Sequence, residues 1–136
     1  MYAEIKKLGL ELECGKGASD SDIESFESKL GLKVGEEYRA FLKEFGNLSV
    51  EYLEFYGICK SEDSIPSAVF ATLNAREEIN LYKDFIVVEE VGNGDFYCVD
   101  SKDNVFLFKY GEFDNPQNLN LTFKAFLLQE IKSIKE

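Results

Sequence analysis

In the first third of the chain, apolar residues recur at helical spacing. Ile23, Phe26 and Leu30 follow Ala18-Ser19-Asp20-Ser21-Asp22, where Ser19 and Asp22 have the spacing of a capping box, and Gly31 stops the run. Tyr38, Phe41, Leu42 and Phe45 then fall at i, i+3, i+4 and i+7 between Glu36 and Gly46, with Glu36 and Glu37 favourably placed on the helix dipole. These two segments predict a helical hairpin with a shared apolar face. Beyond Gly46 the period shortens, and Leu48 to Ile58 is aromatic and β-branched enough to predict one strand, with a bulge. Pro66 suits the first turn of a helix over roughly Ser67 to Leu81, although Thr72 and Asn74 count against it. Three short strands are expected at Phe85 to Val91, Phe96 to Val99 and Val105 to Tyr110. The turn-like Gly92-Asn93-Gly94 and Ser101-Lys102-Asp103-Asn104 separate them into an antiparallel meander. A last helix is expected from about Leu121 to Lys135, with Phe123, Phe126, Leu127, Ile131 and Ile134 as its stripe and Lys124, Lys132 and Lys135 facing out.

The order of these pieces predicts an α+β fold. It has an N-terminal helical hairpin, an antiparallel sheet of about four strands, a helix between strands, and a C-terminal helix packed on the sheet. No repeat or Pro/Ser-rich linker divides the chain, so residues 1–136 parse as one domain. With 45% apolar and 14% aromatic residues, the chain can bury a core without disulfides or a structural metal.

The composition also excludes chemistry. There is no histidine, so Ser-His-Asp and Cys-His mechanisms and histidine zinc sites cannot be built from this chain. Cys14, Cys59 and Cys98 form no CxxC pair and are expected as reduced thiols. No apolar h-region follows the N-terminus and no run approaches a membrane span, so a cytoplasmic location is the expectation. The 26 carboxylates against 15 basic groups give a net charge of −11, which argues against direct binding to nucleic acid or to an anionic membrane and favours a basic protein partner.

Recognised site motifs fail by inspection. Gly15-Lys16 has Leu10 and Gly17 where a P-loop needs Gly and Ser or Thr. Gly92-Asn93-Gly94 has Tyr97 in place of the third glycine of a dinucleotide fingerprint, and a hairpin turn explains it better. Asp100 to Val105 has Lys102 at a ligand position of a calcium loop and Val105 where glycine is required. The pairs Glu36-Glu37, Glu77-Glu78 and Glu89-Glu90 could serve a carboxylate-dependent metal hydrolase, but adjacent acids usually form solvated surface. No cofactor, metal or catalytic residue is expected.

The distribution of charge carries more information. Residues 44–63 hold −4 and residues 84–114 hold −6 of the −11. In a half-buried antiparallel sheet, strand carboxylates alternate outward while turn carboxylates gather at the sheet's ends. Glu51, Glu54, Glu89, Glu90, Asp95, Asp100, Asp103, Glu112 and Asp114 are therefore the expected partner-binding residues, combined into one acidic surface. The competing explanation is that they keep the sheet soluble and protect its edges. Tyr52, Tyr56, Tyr97 and Tyr110 are either aromatic anchors at that surface or core.

Ala18-Ser19-Asp20-Ser21-Asp22-Ile23-Glu24-Ser25-Phe26-Glu27, Leu30-Gly31, Glu36-Glu37-Tyr38-Arg39-Ala40-Phe41-Leu42 and Gly46, taken with Gly92 to Asp100, resemble the signature of the SUKH superfamily. That superfamily includes fungal cell-wall-synthesis regulators and bacterial immunity proteins. Val34-Gly35 departs from it, since proline commonly precedes the Glu-Glu-Tyr segment. The resemblance implies a non-enzymatic domain, here favoured as a monomer, that binds and neutralises a cognate toxin of basic, nuclease type. The alternative it implies is a regulatory or scaffolding domain for an endogenous partner.

Overall fold

Ser19 starts the first long helix as its spacing predicts. Its hydroxyl accepts from the Asp22 N–H at 3.1 Å, the Asp22 carboxylate accepts from the Ser19 N–H at 2.9 Å, and Gly31 ends the helix at φ 67°. The computed structural model describes residues 1–134. Its elements run α1 (Ala3–Lys6), β1 (Glu13–Cys14), α2 (Asp20–Leu30), α3 (Glu36–Phe45), β2 (Leu48–Val50), β3 (Leu53–Phe55), α4 (Ala68–Ile79), β4 (Ile86–Glu90), β5 (Phe96–Val99), β6 (Asn104–Phe108), β7 (Gln117–Thr122) and α5 (Phe123–Ser133). The fold is α+β, with two antiparallel sheets ordered β1-β2-β3 and β4-β5-β6-β7.

Several boundaries differ from the sequence expectation, each for a local reason. Leu48 to Ile58 is a hairpin and not one bulged strand, because Glu51 adopts φ 55° and brings Leu53 opposite Val50. Pro66 stands ahead of α4, joined to Ile65 by a cis peptide bond, and Ser67 caps the helix by accepting from the Phe70 N–H at 3.2 Å. Leu121 belongs to β7, so the C-terminal helix begins two residues later than expected. Lys135, expected on its outer face, lies outside the described residues. The short α1 and β1 and the edge strand β7 were not signalled by periodicity.

The meander itself holds: β4, β5 and β6 pair consecutively, with Phe96 opposite Phe108 and Val99 opposite Val105. The Tyr56 N–H donates to the Val88 carbonyl at 2.7 Å and ties β3 to the outer edge of β4. Thr72 of α4 accepts the Val87 N–H at 3.0 Å on the same edge, so the edge is covered. Helices lie on both faces of this sheet, while its edge strand β7 stays largely exposed. On one face α5 buries Phe123, Phe126, Leu127 and Ile131, with Tyr97 against Phe126 at a 4.8 Å ring separation. On the other, α4 lies along β4 beside Val87 and Phe96. Helices α3 and α5 meet through Tyr38 and Phe41, both edge-on to Phe123 at 5.0 and 5.1 Å. One hydrophobic cluster runs through both sheets and all five helices.

Candidate partner-binding surface

A register shift in β4 decides where its carboxylates point. Val87 pairs with Cys98 and Glu89 with Tyr97, so Val88 is an extra residue and the alternation slips by one. Glu89 therefore shares the α5-facing side with Tyr97, is 2% exposed, and faces Glu130. Burial first, then the neighbouring Glu130 carboxylate, raises the Glu89 pKa, so the side chain is a buried acid and not a surface charge. Its Oε1 has no hydrogen-bond partner. Glu90, opposite Phe96, remains exposed and accepts from the buried Tyr56 hydroxyl at 2.8 Å. Burial, followed by Glu90, Glu54 and Glu89, raises the Tyr56 pKa.

The β5–β6 turn uses its acids for structure. Asp100 Oδ1 accepts from the Lys102 and Asn104 N–H groups at 2.9 Å each, and its Oδ2 accepts from the Asn104 amide at 3.1 Å. Asp103 is buried, and its two oxygens accept from the Glu37 and Tyr38 N–H groups at 2.9 and 3.0 Å. Those are the free donors at the start of α3, whose own cap residue, Gly35, has no side chain to offer. A Cβ on Gly35 would collide with the Asp103 carboxylate, which explains why glycine stands where the SUKH resemblance leads one to expect proline nearby. Glu37 returns the favour to α5, its Oε1 accepting from the Lys124 N–H at 2.8 Å.

The nine carboxylates therefore do not form the single expected surface. Glu89 and Asp103 are interior. Asp100 and Asp103 occupy the turn at one end of the meander, whereas Glu90, Asp95, Glu112 and Asp114 gather at the other. There the β4–β5 turn and the 109–116 loop are joined by Asp95 Oδ1, which accepts from the Tyr110 N–H at 2.8 Å. Glu54 is half-buried in β3, and Glu51 is exposed in the β2–β3 turn. Among the described residues, none of the nine is ion-paired. The bridges that do form join Lys6–Glu44, Lys29–Glu62, Lys33–Glu27, Arg39–Asp20, Lys43–Asp20 and Lys124–Glu4.

The four tyrosines divide. Tyr56 is core, Tyr97 is half-buried under α5, and Tyr52 and Tyr110 are 77% and 73% exposed. Tyr110 ends a row of rings not anticipated from the sequence: Tyr82–Phe85–Phe108–Phe96–Phe113–Tyr110, with successive centroids 6.4, 5.3, 4.9, 5.5 and 6.1 Å apart. Part of its signal was present in the alternation Phe106, Phe108, which puts two aromatics on one face of β6 and is continued by Tyr110 just past the strand's end. Two hollows of about 580 and 630 Å³ flank this row and share Ile79 and Phe113 as walls. Glu78 and Glu90 line the first hollow, and Asp114 lines the second.

The fold is α+β, with two hollows beside an aromatic row and Glu78, Glu90 and Asp114 among their lining residues. The chain belongs to the SUKH_5 family, described as SMI1-KNR4 cell-wall, whose model it matches over residues 3–132. No curated protein matches it. None of the helices among the described residues is long and apolar enough to cross a membrane.

Proposed function

We propose that this chain is an immunity protein that binds a cognate toxin with a basic, nuclease-type domain and neutralises it by occupation, without catalysis. The observation that carries this reading is the set of carboxylates Glu90, Asp95, Glu112 and Asp114, gathered at one end of the sheet and left without a single ion pair among the described residues. A structural network would pair such charges. A nuclease must present cationic side chains to phosphate, and unpaired acids are the complement of such a cleft. Membership of a family that includes toxin immunity proteins supports the same reading.

The test is co-expression with any toxin-like reading frame found adjacent to the gene for this chain. The expected result is host survival and a complex that co-purifies and weakens with rising salt. Continued killing with no complex overturns the proposal. A scaffolding role is the second reading, favoured by the family's cell-wall description. A stable complex with an endogenous protein, in a host lacking any adjacent toxin, would select it.

A further inference from the structure

We infer that the groove between α4 and the 109–116 loop is the docking locus, and that its occupant is a segment of the partner protein presenting an apolar or aromatic side chain flanked by Lys or Arg. The inference takes the partner's basic character from the toxin-neutralising reading and adds where it docks and by what chemistry. The α4 helix covers only the β4 side of its sheet face. Phe96 and Phe108 stack on each other and are buried, Phe108 against Phe85 and Phe96 against Phe113, so the rings the two hollows leave within reach are Tyr82, Phe85, Phe113 and Tyr110. These partly exposed rings supply apolar contact, and their faces also attract cations.

Tyr110 is built to be an anchor. Although 73% exposed, it is held at three points: its N–H by Asp95, its ring edge-on to Phe113, and its ring side against Gly94. A Cβ on Gly94 would sit 2.7 Å from the Tyr110 ring, so only glycine lets that ring lie down on the turn. An exposed aromatic already fixed in place loses little entropy on binding. Glu78 and Glu90 line the same hollow as Tyr110, Asp95 holds its N–H, Asp114 lines the neighbouring hollow, and Glu112 belongs to the same loop, in which Lys109 is the one basic residue. That charge selects a cationic occupant. A second copy of this chain would bring the same acidic rim and a net −11 of its own.

The experiment follows amide NMR shifts of the full chain on titration with two short synthetic peptides. One has Lys and Arg flanking a central Phe-Leu pair, and the other has Glu in place of each Lys and Arg. The expected result is saturable shifts at Tyr82, Gly94, Tyr110 and Phe113 with the basic peptide only. Tyr110→Ala and Glu78→Lys should each weaken it by about tenfold, with melting temperature unchanged and Glu13→Lys, exposed on the other sheet, binding as the parent does. Shifts located elsewhere, equal binding of the acidic peptide, or wild-type affinity in both variants overturns the inference, as does a homodimer that buries Tyr110. The same variants against the toxin separate the two proposals. A wild-type toxin complex that both variants keep intact removes the groove and leaves the immunity reading. Specific peptide binding with no toxin complex removes the immunity reading and leaves the groove.

Discussion

The Asp103 carboxylate fills the space that any side chain at Gly35 would require, and from there it closes the N-terminus of α3. A turn between two strands thus caps a helix far away in sequence. Asp103→Ala should cost about 1–2 kcal/mol, the usual value of a lost helix cap, and Gly35→Ala should cost at least as much by displacing the carboxylate. Because both act on one contact, the double variant should be less destabilised than the sum of the two. Urea denaturation of the four proteins measures this, and strict additivity would separate the residues. Charge reversal at Asp103 therefore reports on folding and is no probe of partner binding.

Glu89 gives the chain a pH dependence of defined sign. Its folded-state pKa is raised by burial and by Glu130, with the Tyr56 and Tyr97 phenols its other neighbours among the titratable groups. Between the ordinary glutamate value and that raised one, the folded state holds a proton that the unfolded state has released. The associated stability is complete below the unfolded pKa and is lost as pH rises through the folded one. Glu89→Gln mimics the protonated form. It should match the parent at about pH 4 and exceed it by about 1 kcal/mol or more near pH 9. Thermal melts across that range check it, and parallel curves for the two proteins would exclude a buried neutral acid.

Why the fold was legible and the site only partly so follows from range. The α2 capping box, the Gly31 stop and the α3 stripe are written within one or two helical turns, and all were readable. Glu51 reversing the chain and the extra residue at Val88 are single-residue departures from period two, and nothing local announces either. The second one inverted the reading of Glu89. Asp103 was misassigned for a different reason: an acid in a turn has the same local signature whether it meets water or a helix terminus placed there by the tertiary fold. Glu90, Asp95, Glu112 and Asp114 were read only among nine carboxylates of one surface. Their separation from Asp100 and Asp103 follows from the strand order, which puts the β4–β5 turn and the 109–116 loop at one end of the meander and the β5–β6 turn at the other.

Thr72 supports the edge of β4 in a way that a hydrophobic isostere cannot. Fully buried, it accepts the Val87 N–H at 3.0 Å. Thr72→Val conserves volume and leaves that donor unsatisfied, with an expected cost of about 1–3 kcal/mol. Thr72→Ser retains the oxygen and should cost less. Hydrogen exchange at the Val87 amide gives a second readout: faster exchange in the valine variant than in the serine variant is expected, and equal rates would show that the threonine matters only as filler.

Asp95 combines two contributions to partner capture that substitution can separate. Its charge belongs to the acidic end of the sheet and acts at a distance, whereas its Oδ1 holds the Tyr110 N–H at 2.8 Å and acts by fixing the anchor. Asp95→Asn removes the charge and keeps an acceptor at the same place. Asp95→Ala removes both. Long-range attraction governs association, so the asparagine variant should slow association by about two- to fivefold at low salt and leave dissociation nearly unchanged. A loosened Tyr110 must be ordered again at each binding event, so the alanine variant should also dissociate faster, by about fivefold or more. Surface plasmon resonance against the toxin domain or the basic peptide at two ionic strengths resolves the terms. If asparagine and alanine prove kinetically identical, the hydrogen bond to Tyr110 contributes nothing to recognition, and the groove works through charge and the remaining rings alone.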